Sequence, residues 1–265
     1  MQTKNTLSLS ERMKYYEKAI DFQLNPCMHY MLRLDGKNFS KMIKKWSLNK
    51  PFDKRFNLAM NAAAKSLYDL IPNINLVWHG SDEISAWFIF PDIKSPFFDG
   101  RIQKIVSLAA SQVSVIFNLK LKELLNYEIL PGIFDARLIQ FPNECEVFNC
   151  FLFRQQDCIR NSISGYAQSY FSAKNLLNKN SNEKIKMLNE QQGLDFDKVE
   201  NWTKFGTFIF KKIYEIKKNI DETFIRTTYD TNSIKINNIN DFINIIKNTN
   251  TPEKIDINTW YLLKN

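Results

Sequence analysis

Apolar positions in the first two thirds of the chain recur with periods that predict a series of helices. Ser8 and Glu11 fit a capping box, and residues 12–17 continue it as a short amphipathic helix. Further along, apolar residues return every three or four positions, which is the spacing of one buried helix face. The other helices predicted, the last of them rich in hydrogen-bonding side chains, cover residues 54–71, 102–117 and 144–177.

Short apolar runs between these helices predict strands. The predicted strands cover residues 28–34, 74–78, 84–90 and 133–141. A charged segment, residues 79–83, separates the second strand from the third and predicts a hairpin tip, where His79 is interpreted as a turn residue with substrate contact as the alternative. The order is β-α-β-β-α-β, so the predicted fold class is α+β with a ferredoxin-like arrangement.

This order of elements brings two aspartates together. Right-handed crossovers make the first and second strands parallel with the third between them, so Asp35 and Asp82 should meet at one sheet edge. Two carboxylates converging there would repel each other unless a cation lay between them, as in a two-Mg²⁺ phosphoryl-transfer site. Taken alone, each segment would be an ordinary polar turn. After the first strand, main-chain N–H groups at residues 36–40 could also cradle a triphosphate.

Composition restricts the chemistry further. The 265 residues are 44% hydrophobic and 24% charged, which is typical of a globular protein, and no run approaches the ~20 apolar residues of a membrane span. Residues 1–10 show no apolar signal region, so a cytoplasmic location without a membrane partner is expected. Four cysteines without a CxxC pair and only two histidines argue against zinc, disulfides and histidine-based catalysis, which leaves carboxylates and a metal.

The net charge of +8 is compatible with a polyanionic partner such as nucleic acid. Six basic residues fall within residues 41–55 and form either a solvated helix face or a phosphate-binding surface. From about residue 213 the composition shifts toward Asn, Ile and Lys without a clear motif. We therefore predict a palm-type catalytic unit with its N-terminal helix over residues 1–141, helical and strand elements that complete the catalytic unit and the RNA contacts over 142–212, and an Asn-, Ile- and Lys-rich C-terminal extension over 213–265.

Four segments together resemble one family. RLDGKNF (33–39), GSDE (80–83), FDAR (134–137) and FRQQDCIRNSI (153–163) are similar to the tRNA-His guanylyltransferase superfamily, whose members extend RNA in the 3′-to-5′ direction. The resemblance covers about residues 8–210. RMKYYE, KPFD and YFSAKNLL look like the branch that repairs 5′-truncated tRNAs, whereas the tRNA-His enzymes look like HINNLYN where this chain has IRNSISG.

The resemblance implies a polymerase-like palm and assigns roles to residues of this chain. Asp35 and Asp82, with the Gly36 carbonyl, would hold two Mg²⁺ ions, and Glu83 would support the catalytic site. The nucleotide-binding residues that it implies are Asp35, Gly36, Lys37, Asn38, Phe39, Ser40, Lys50, Asp53, Ser81 and Asp82. The residues that it implies for the RNA 5′ end or a second phosphate group are Arg137, Arg154, Asn161 and Lys204.

The reaction implied by the resemblance begins with ATP activating a 5′-monophosphate RNA, after which the 3′-hydroxyl of GTP or another NTP attacks the activated phosphate. The partners implied are tRNA and nucleoside triphosphates, and the assembly implied is a homotetramer. One alternative is a tRNA-His guanylyltransferase that adds the extra 5′ guanosine. Alternatives from other classes are a catalytically inert palm-like RNA-binding protein and a nucleotide cyclase-like enzyme.

Overall fold

The computed structural model describes residues 7–217, 223–250, 252–256 and 259. Its helices are α1 Leu9–Lys18, α2 Phe39–Lys45, α3 Lys54–Leu70, α4 Ile102–Leu125, α5 Glu144–Tyr170, α6 Ala173–Leu176, α7 Ser181–Gln192, α8 Asn201–Phe205 and α9 Ile239–Asn250. Its strands are β1 His29–Gly36, β2 Ile74–Gly80, β3 Glu83–Phe88, β4 Phe134–Phe141, β5 Thr207–Lys217, β6 Thr223–Asn232 and β7 Glu253–Asp256.

The sheet confirms the predicted α+β class and its ferredoxin-like centre. The strand order is β4-β1-β3-β2-β5-β6, and β7 pairs with β5. Because β1 and β2 each pair antiparallel with β3, they run parallel to one another with β3 between them. The predicted capping box is also present, since the Ser8 hydroxyl accepts from the Glu11 N–H at the start of α1.

Alternation along the strands divides the core into two layers. Tyr30, Leu32 and Leu34 of β1 point toward the layer formed with α3 and α4, where Phe39 and Trp46 are also buried. The intervening residues of β1 point to the opposite face, which α5 and α9 cover through apolar residues such as Phe151 and Phe242. The side chains of Arg33 and Asp35 therefore belong to the face of the sheet over which α5 passes.

Helix α4 is long and apolar enough to cross a membrane by length and composition alone, and it is the only helix of this kind in the described part of the chain. Its buried residues recur every four positions, beginning with Ile105, Ala109 and Val113. That spacing belongs to a helix with one side against a protein core. In the structure α4 packs on α3 and β4.

The sequence predicts a single helix over residues 144–177, whereas the structure has two helices there, α5 and α6. Helix α5 ends at Tyr170 because Phe171 adopts an extended backbone conformation, with φ of −121° and ψ of 147°. The Ser172 side chain then accepts from the Asn175 N–H and starts the short helix α6. A side-chain cap of this kind offers the backbone an alternative to continuing the helix.

The C-terminal region, where the sequence shows no motif, extends the sheet. β5 pairs with β2 through Thr207, Phe208 and Ile209 and with β6 over its whole length. α9 then packs on this part of the sheet with Phe242 and Ile245 buried. The division at 141 and 212 stays a prediction, and the sheet itself is continuous across both positions.

Gly206, the residue before β5, is a position where we expect a side chain to be poorly tolerated. Its φ of 68° and ψ of −165° lie in a region that essentially only glycine adopts, and an added Cβ would lie 2.4 Å from the His79 carbonyl oxygen. We expect Gly206→Ala to lower the free energy of unfolding by about 3 kcal/mol or more, measured by denaturant titration.

Gly193 provides the matched control. Its φ is also positive, at 63°, but an added Cβ would have no atom within 4 Å. Gly193→Ala should therefore cost only the left-handed backbone penalty of about 1–2 kcal/mol. Equal losses in the two variants would show that the contact of Gly206 with β2 is unimportant.

Candidate active site

Acidic side chains gather at one end of the sheet. Asp35 lies opposite Glu83 on β3 and opposite Asp135 on β4. Ser81 and Asp82 form the two-residue turn between β2 and β3, with Ser81 at a φ of 54°. The Gly36 N–H donates to the Asp82 carbonyl oxygen at 3.0 Å, which ties the end of β1 to this turn. The predicted meeting of Asp35 with Asp82 at one sheet edge is confirmed.

Arginines neutralise some of these carboxylates. Arg154 on α5 donates from Nε to Glu83 Oε1 at 2.7 Å and from Nη2 to Glu83 Oε2, and both side chains are largely buried. The same guanidinium donates to Asp157 at 2.7 Å. Arg137 donates to Asp135 at 2.8 Å, at the surface. The two hydrogen bonds from Arg154 to Glu83 fix these two side chains relative to each other.

Asp35 and Asp82 remain without a cationic partner among the described residues. Burial raises the pKa of the Asp82 carboxyl above its ordinary value, and the nearby Asp35 carboxylate adds to this rise. A divalent cation between the two carboxylates would offset their negative charge. Oxygen atoms are the ligands that Mg²⁺ prefers. The described residues contain no group of three or more His, Cys, Asp or Glu suited to a metal. A Mg²⁺ site here would thus rest on these two carboxylates and main-chain oxygens such as that of Gly36.

The predicted phosphate cradle is smaller than the sequence indicates. The N–H groups of Gly36 and Lys37 are already used, donating to the carbonyl oxygens of Asp82 and Ile133. The Phe39 side chain is 1% exposed and packs against Trp46 in the core, so it offers only its main chain. The N–H groups of residues 38–40, at the start of α2, are those that remain for a phosphate, because a first helical turn leaves its donors unpaired.

Two adjoining cavities lie beside the aspartates. The smaller, of about 120 Å³, is lined by Asp35 and Asp82 together with Glu83, Arg154 and Asn161. The larger, of about 220 Å³, lies between α5 and the segment joining α2 to α3. The residues shared by the two linings are Gly80, Ser81, Cys158 and Asn161. The two cavities therefore adjoin along these residues.

Apolar and aromatic side chains form much of the larger cavity's wall. Phe52 lies edge-on to Trp202, with ring centroids 6.0 Å apart, and is 5.2 Å from Tyr166. Phe56 and Pro51 also line the space. At about 220 Å³ the cavity is smaller than the ~300–1,000 Å³ typical of sites for drug-sized ligands, so it suits one planar heterocycle.

Asp53 lines the larger cavity and is tied to its own segment of the chain. It accepts from the N–H groups of Asn49 and Arg55 and from the Arg55 guanidinium, at 2.6 Å for the closest contact. These hydrogen bonds, chiefly the one from the Arg55 side chain, lower the pKa of Asp53 to about 2. Lys50, predicted beside it, is exposed at the rim.

The four residues predicted for RNA or a second phosphate lie in different surroundings. Asn161 lines both cavities and Arg154 lines the smaller one. Arg137 is on β4, on the face of the sheet that also carries Asp35, and its side chain is about half exposed. Lys204 is 5% exposed, and its ammonium donates to the Asp197 carbonyl oxygen at 2.7 Å. The Lys204 side chain is thus almost fully enclosed and presents little surface to RNA in this conformation.

Sequence reasoning did not single out Arg33. Arg33 stands two positions before Asp35 on β1, so alternation puts both on one face, and its Nε is buried without a partner among the described residues. The spacing of two residues from Asp35 is the sequence signal that could have identified Arg33. Trp202, on α8, lines the larger cavity, a position that depends on the tertiary fold. His79, interpreted as a turn residue, is instead buried within β2, where Nε2 contacts Asn61 and burial lowers its pKa to about 3.

A ferredoxin-like sheet with two aspartates that have no cationic partner among the described residues, beside a cavity, is the arrangement expected of a palm-type nucleotidyltransferase. Comparison with known proteins narrows this class. The family model described as tRNAHis guanylyltransferase matches residues 10–142, and the chain belongs to this family.

Individual relatives support the same conclusion. The chain is 31% identical over 227 residues to a tRNA(His) guanylyltransferase of Debaryomyces hansenii, covering 80% of this chain and 83% of the relative. A solved bacterial tRNA(His) guanylyltransferase-like protein in complex with ATP is 30% identical, with a TM-score of 0.79 over 91% of this chain and 99% of that one. One in complex with GTP is 28% identical, with a TM-score of 0.71 over 92% and 100% of the two chains.

The Asp53 carboxylate should contribute to stability in a pH-dependent way. Because its pKa is lowered to about 2, the stabilisation is fully present above about pH 4 and is lost as the pH falls toward 2. We expect Asp53→Asn, which keeps the helix cap, to lower the free energy of unfolding at pH 7 by about 2 kcal/mol. Denaturant titrations from pH 7 to pH 3 should show the gap between variant and wild type narrowing at the acid end.

Asp195→Asn is the comparison, since Asp195 also caps a short helical turn but is exposed. It should change stability little at any pH. A loss in Asp53→Asn that stays constant between pH 7 and pH 3 would contradict the ionic origin of the effect.

Proposed function

We propose that the protein adds nucleotides to the 5′ end of tRNA in the 3′-to-5′ direction, using the opposite strand as template. Relatives named tRNA(His) guanylyltransferase support addition of guanosine at that end. The observation that carries the proposal is the pair of aspartates, Asp35 and Asp82, without a cationic partner in the described part of the chain and beside a cavity for one heterocycle.

The first step forms an activated RNA end. An oxygen of the RNA 5′-monophosphate attacks the α-phosphorus of ATP, the bond to the β-phosphate oxygen breaks, and pyrophosphate leaves. The product carries AMP on its 5′ phosphate. In this step the larger cavity holds the base, while main-chain N–H groups of residues 38–40 hold phosphate oxygens.

The second step adds the nucleotide. The 3′-hydroxyl oxygen of the incoming NTP attacks the activated 5′ phosphorus of the RNA, the hydroxyl proton passes to solvent, and AMP leaves. Mg²⁺ bound at Asp35 and Asp82 would lower the pKa of this hydroxyl and offset charge on the departing oxygen. Arg154 holds Glu83 in place and leaves the two aspartates for the metal.

A repair activity on several tRNAs, rather than one restricted to tRNA-His, is the finer part of the proposal. The segment after the Asp157-Cys158 pair supports it, since IRNSISG stands where the tRNA-His enzymes look like HINNLYN. Two of the differing positions, Ser162 and Gly165, line the larger cavity. Strict addition of one guanosine to tRNA-His is the second candidate, supported by the names of the relatives.

A basic surface beside the larger cavity is suited to the phosphates of tRNA. Lys41, Lys44 and Lys45 on α2 are exposed, and none has a carboxylate partner among the described residues. Lys50 and Lys54, exposed at the rim, continue this surface, which we call the α2 lysine surface. Unpaired lysines supply affinity for phosphate that does not depend on base sequence.

The homotetramer and the cytoplasmic location stay predictions. A tetramer would need apolar surface to cover, and the described residues offer it on two helices. On α1, Leu9 is 65% exposed and Tyr16 64% exposed, and on α4, Val115 is 55% exposed and Leu119 61% exposed. Apolar area of this kind is typical of surfaces that another chain covers.

The proposed reaction is tested on a 5′-truncated tRNA that carries a 5′-monophosphate. With ATP, Mg²⁺ and the four NTPs, the wild-type protein should adenylylate the RNA and then lengthen its 5′ end. Asp35→Ala and Asp82→Ala should each lower both steps by at least about a thousandfold, because each removes a ligand of the metal. Gel analysis of labelled RNA measures both products.

Asp92→Ala is the matched control, since Asp92 is exposed in a loop beyond the opposite end of β3. It should keep wild-type activity. Full activity in either site variant would sink the metal assignment, and a wild type that consumes no ATP with this RNA would favour the inert RNA-binding alternative. ATP consumption without RNA would favour the cyclase-like alternative, and extension confined to tRNA-His would favour the second candidate.

The α2 lysine surface generates a further prediction. Replacing Lys41, Lys44 and Lys45 by Gln should weaken tRNA binding and reduce the slope of log K against log salt by up to about 3, because each lost phosphate contact removes about 0.7–0.9 of the slope. ATP affinity should not change. Filter binding between low and physiological salt measures the slope.

Lysines that already have a glutamate partner provide the control. Lys120 is paired with Glu123 and Lys122 with Glu128, both at the surface. Their replacement by Gln should leave the salt slope unchanged. An equal reduction in both sets of variants would mean that only net charge matters and that the α2 surface does not contact tRNA.

A further inference from the structure

Two polar side chains of α4 hold the main chain of the segment that leads into β4. The Asn118 amide donates to the Gly132 carbonyl oxygen at 2.8 Å and accepts from the Gly132 N–H at 2.7 Å. The Ser114 hydroxyl accepts from the Phe134 N–H at 3.0 Å. Ser114 and Asn118 lie four positions apart, on one side of α4. They therefore fix the main chain on both sides of Ile133.

The main chain of Ile133 is in turn bonded to the end of β1. The Ile133 carbonyl oxygen accepts from the Lys37 N–H at 2.8 Å. The Ile133 carbonyl and the Phe134 N–H belong to one planar trans peptide, so they point in opposite directions. The hydrogen bond from the Phe134 N–H to Ser114 therefore sets the plane of the peptide that presents the Ile133 carbonyl to Lys37.

The same geometry applies once more at Gly36. The Gly36 carbonyl and the Lys37 N–H share the next trans peptide, so the Gly36 carbonyl points away from Ile133. The Gly36 N–H donates to the Asp82 carbonyl oxygen at 3.0 Å, and in a strand the N–H and the carbonyl of one residue point to the same side. The Gly36 carbonyl is thus directed to the side of β1 on which the turn with Asp82 lies.

We propose that Ser114 and Asn118 are positioning residues for the metal site, acting through Ile133 and Lys37 on the Gly36 carbonyl. This inference rests on the proposed function, in which that carbonyl is a ligand of Mg²⁺. A main-chain oxygen has no rotamer of its own, so its direction depends on its peptide plane and on the groups that hold that plane. Helix α4 thus acts on the site from the face of the sheet opposite to α5.

The experiment separates the contribution of the metal from that of the nucleotide. Calorimetry measures the affinity of the full chain for ATP without Mg²⁺ and at a series of Mg²⁺ concentrations, and RNA is omitted so that no adenylylation occurs. Ser114→Ala should raise the Mg²⁺ concentration that gives half of the gain in ATP affinity by about tenfold, the low end for a group that orients a metal ligand. The affinity for ATP without Mg²⁺ should not change.

Asn118→Leu is the second variant, and it should shift the Mg²⁺ dependence in the same direction. Its side chain has a similar size but makes no hydrogen bond to Gly132. Thermal unfolding of each variant shows whether it is folded at the temperature of the titration.

Two other residues of α4 provide matched controls. Ser111 and Ser114 each donate to the carbonyl oxygen four positions earlier, but in the described part of the chain only Ser114 also accepts from residues 132–134. Gln112 donates to the Ser66 carbonyl oxygen on α3 at 2.6 Å, so its bond also leads away from that segment. Ser111→Ala and Gln112→Leu should keep the wild-type Mg²⁺ dependence.

The inference is overturned if Ser114→Ala and Asn118→Leu weaken ATP equally with and without Mg²⁺, which would indicate a structural role. It is also overturned if both keep the wild-type Mg²⁺ dependence. A wild type whose ATP affinity does not respond to Mg²⁺ overturns the metal site, and one that binds no ATP overturns the nucleotide site. These last two results separate a failure of the proposed function from a failure of the positioning role.

Discussion

The antiparallel pairing of β1 with β3 is the constraint on which the site depends, because it fixes Asp35 opposite Glu83 at the end where the turn carries Asp82. Carboxylates so close cannot all remain ionised without compensation. Arg154 relieves Glu83 and Asp157 at once, and this ion-pair network also holds α5 over the sheet. The charge left over lies on two aspartates, and the rest of the site is arranged around them.

Helix α5 connects this charge pattern to the core. Val147 and Phe151 pack it onto the sheet, and its polar half then passes the cavities through Arg154, Asn161 and Ser162. Apolar packing at one end sets where the charged and hydrogen-bonding groups lie at the other. A rigid helix is thus the means by which residues far apart in sequence line the same two cavities.

Much of the central fold could be predicted, because its signals are local and its connections follow handedness rules. Apolar period predicts the elements, and the right-handed crossover is enough to bring Asp35 to Asp82. Strand elements were expected within residues 142–212, but β5 and β6 were not located, because pairing of Phe208 with Trp78 depends on long-range register, which no local pattern encodes. Likewise, a motif identifies Phe39 and Lys204 without saying that both side chains turn inward.

The attachment of β5 to β2 has a consequence for how this chain can change over time. β5 pairs with β2 through residues 207–209, before the extension begins at residue 213, and then runs on to residue 217, so the Asn-rich extension is joined to β2 through β5. Drift in composition is tolerated where residues face water. Substitutions are costly at Phe208, Ile216 and Phe242, because these side chains are fully buried. The extension is thus part of the same sheet as the hairpin strand β2, and its buried positions are constrained by packing although its composition shows no motif.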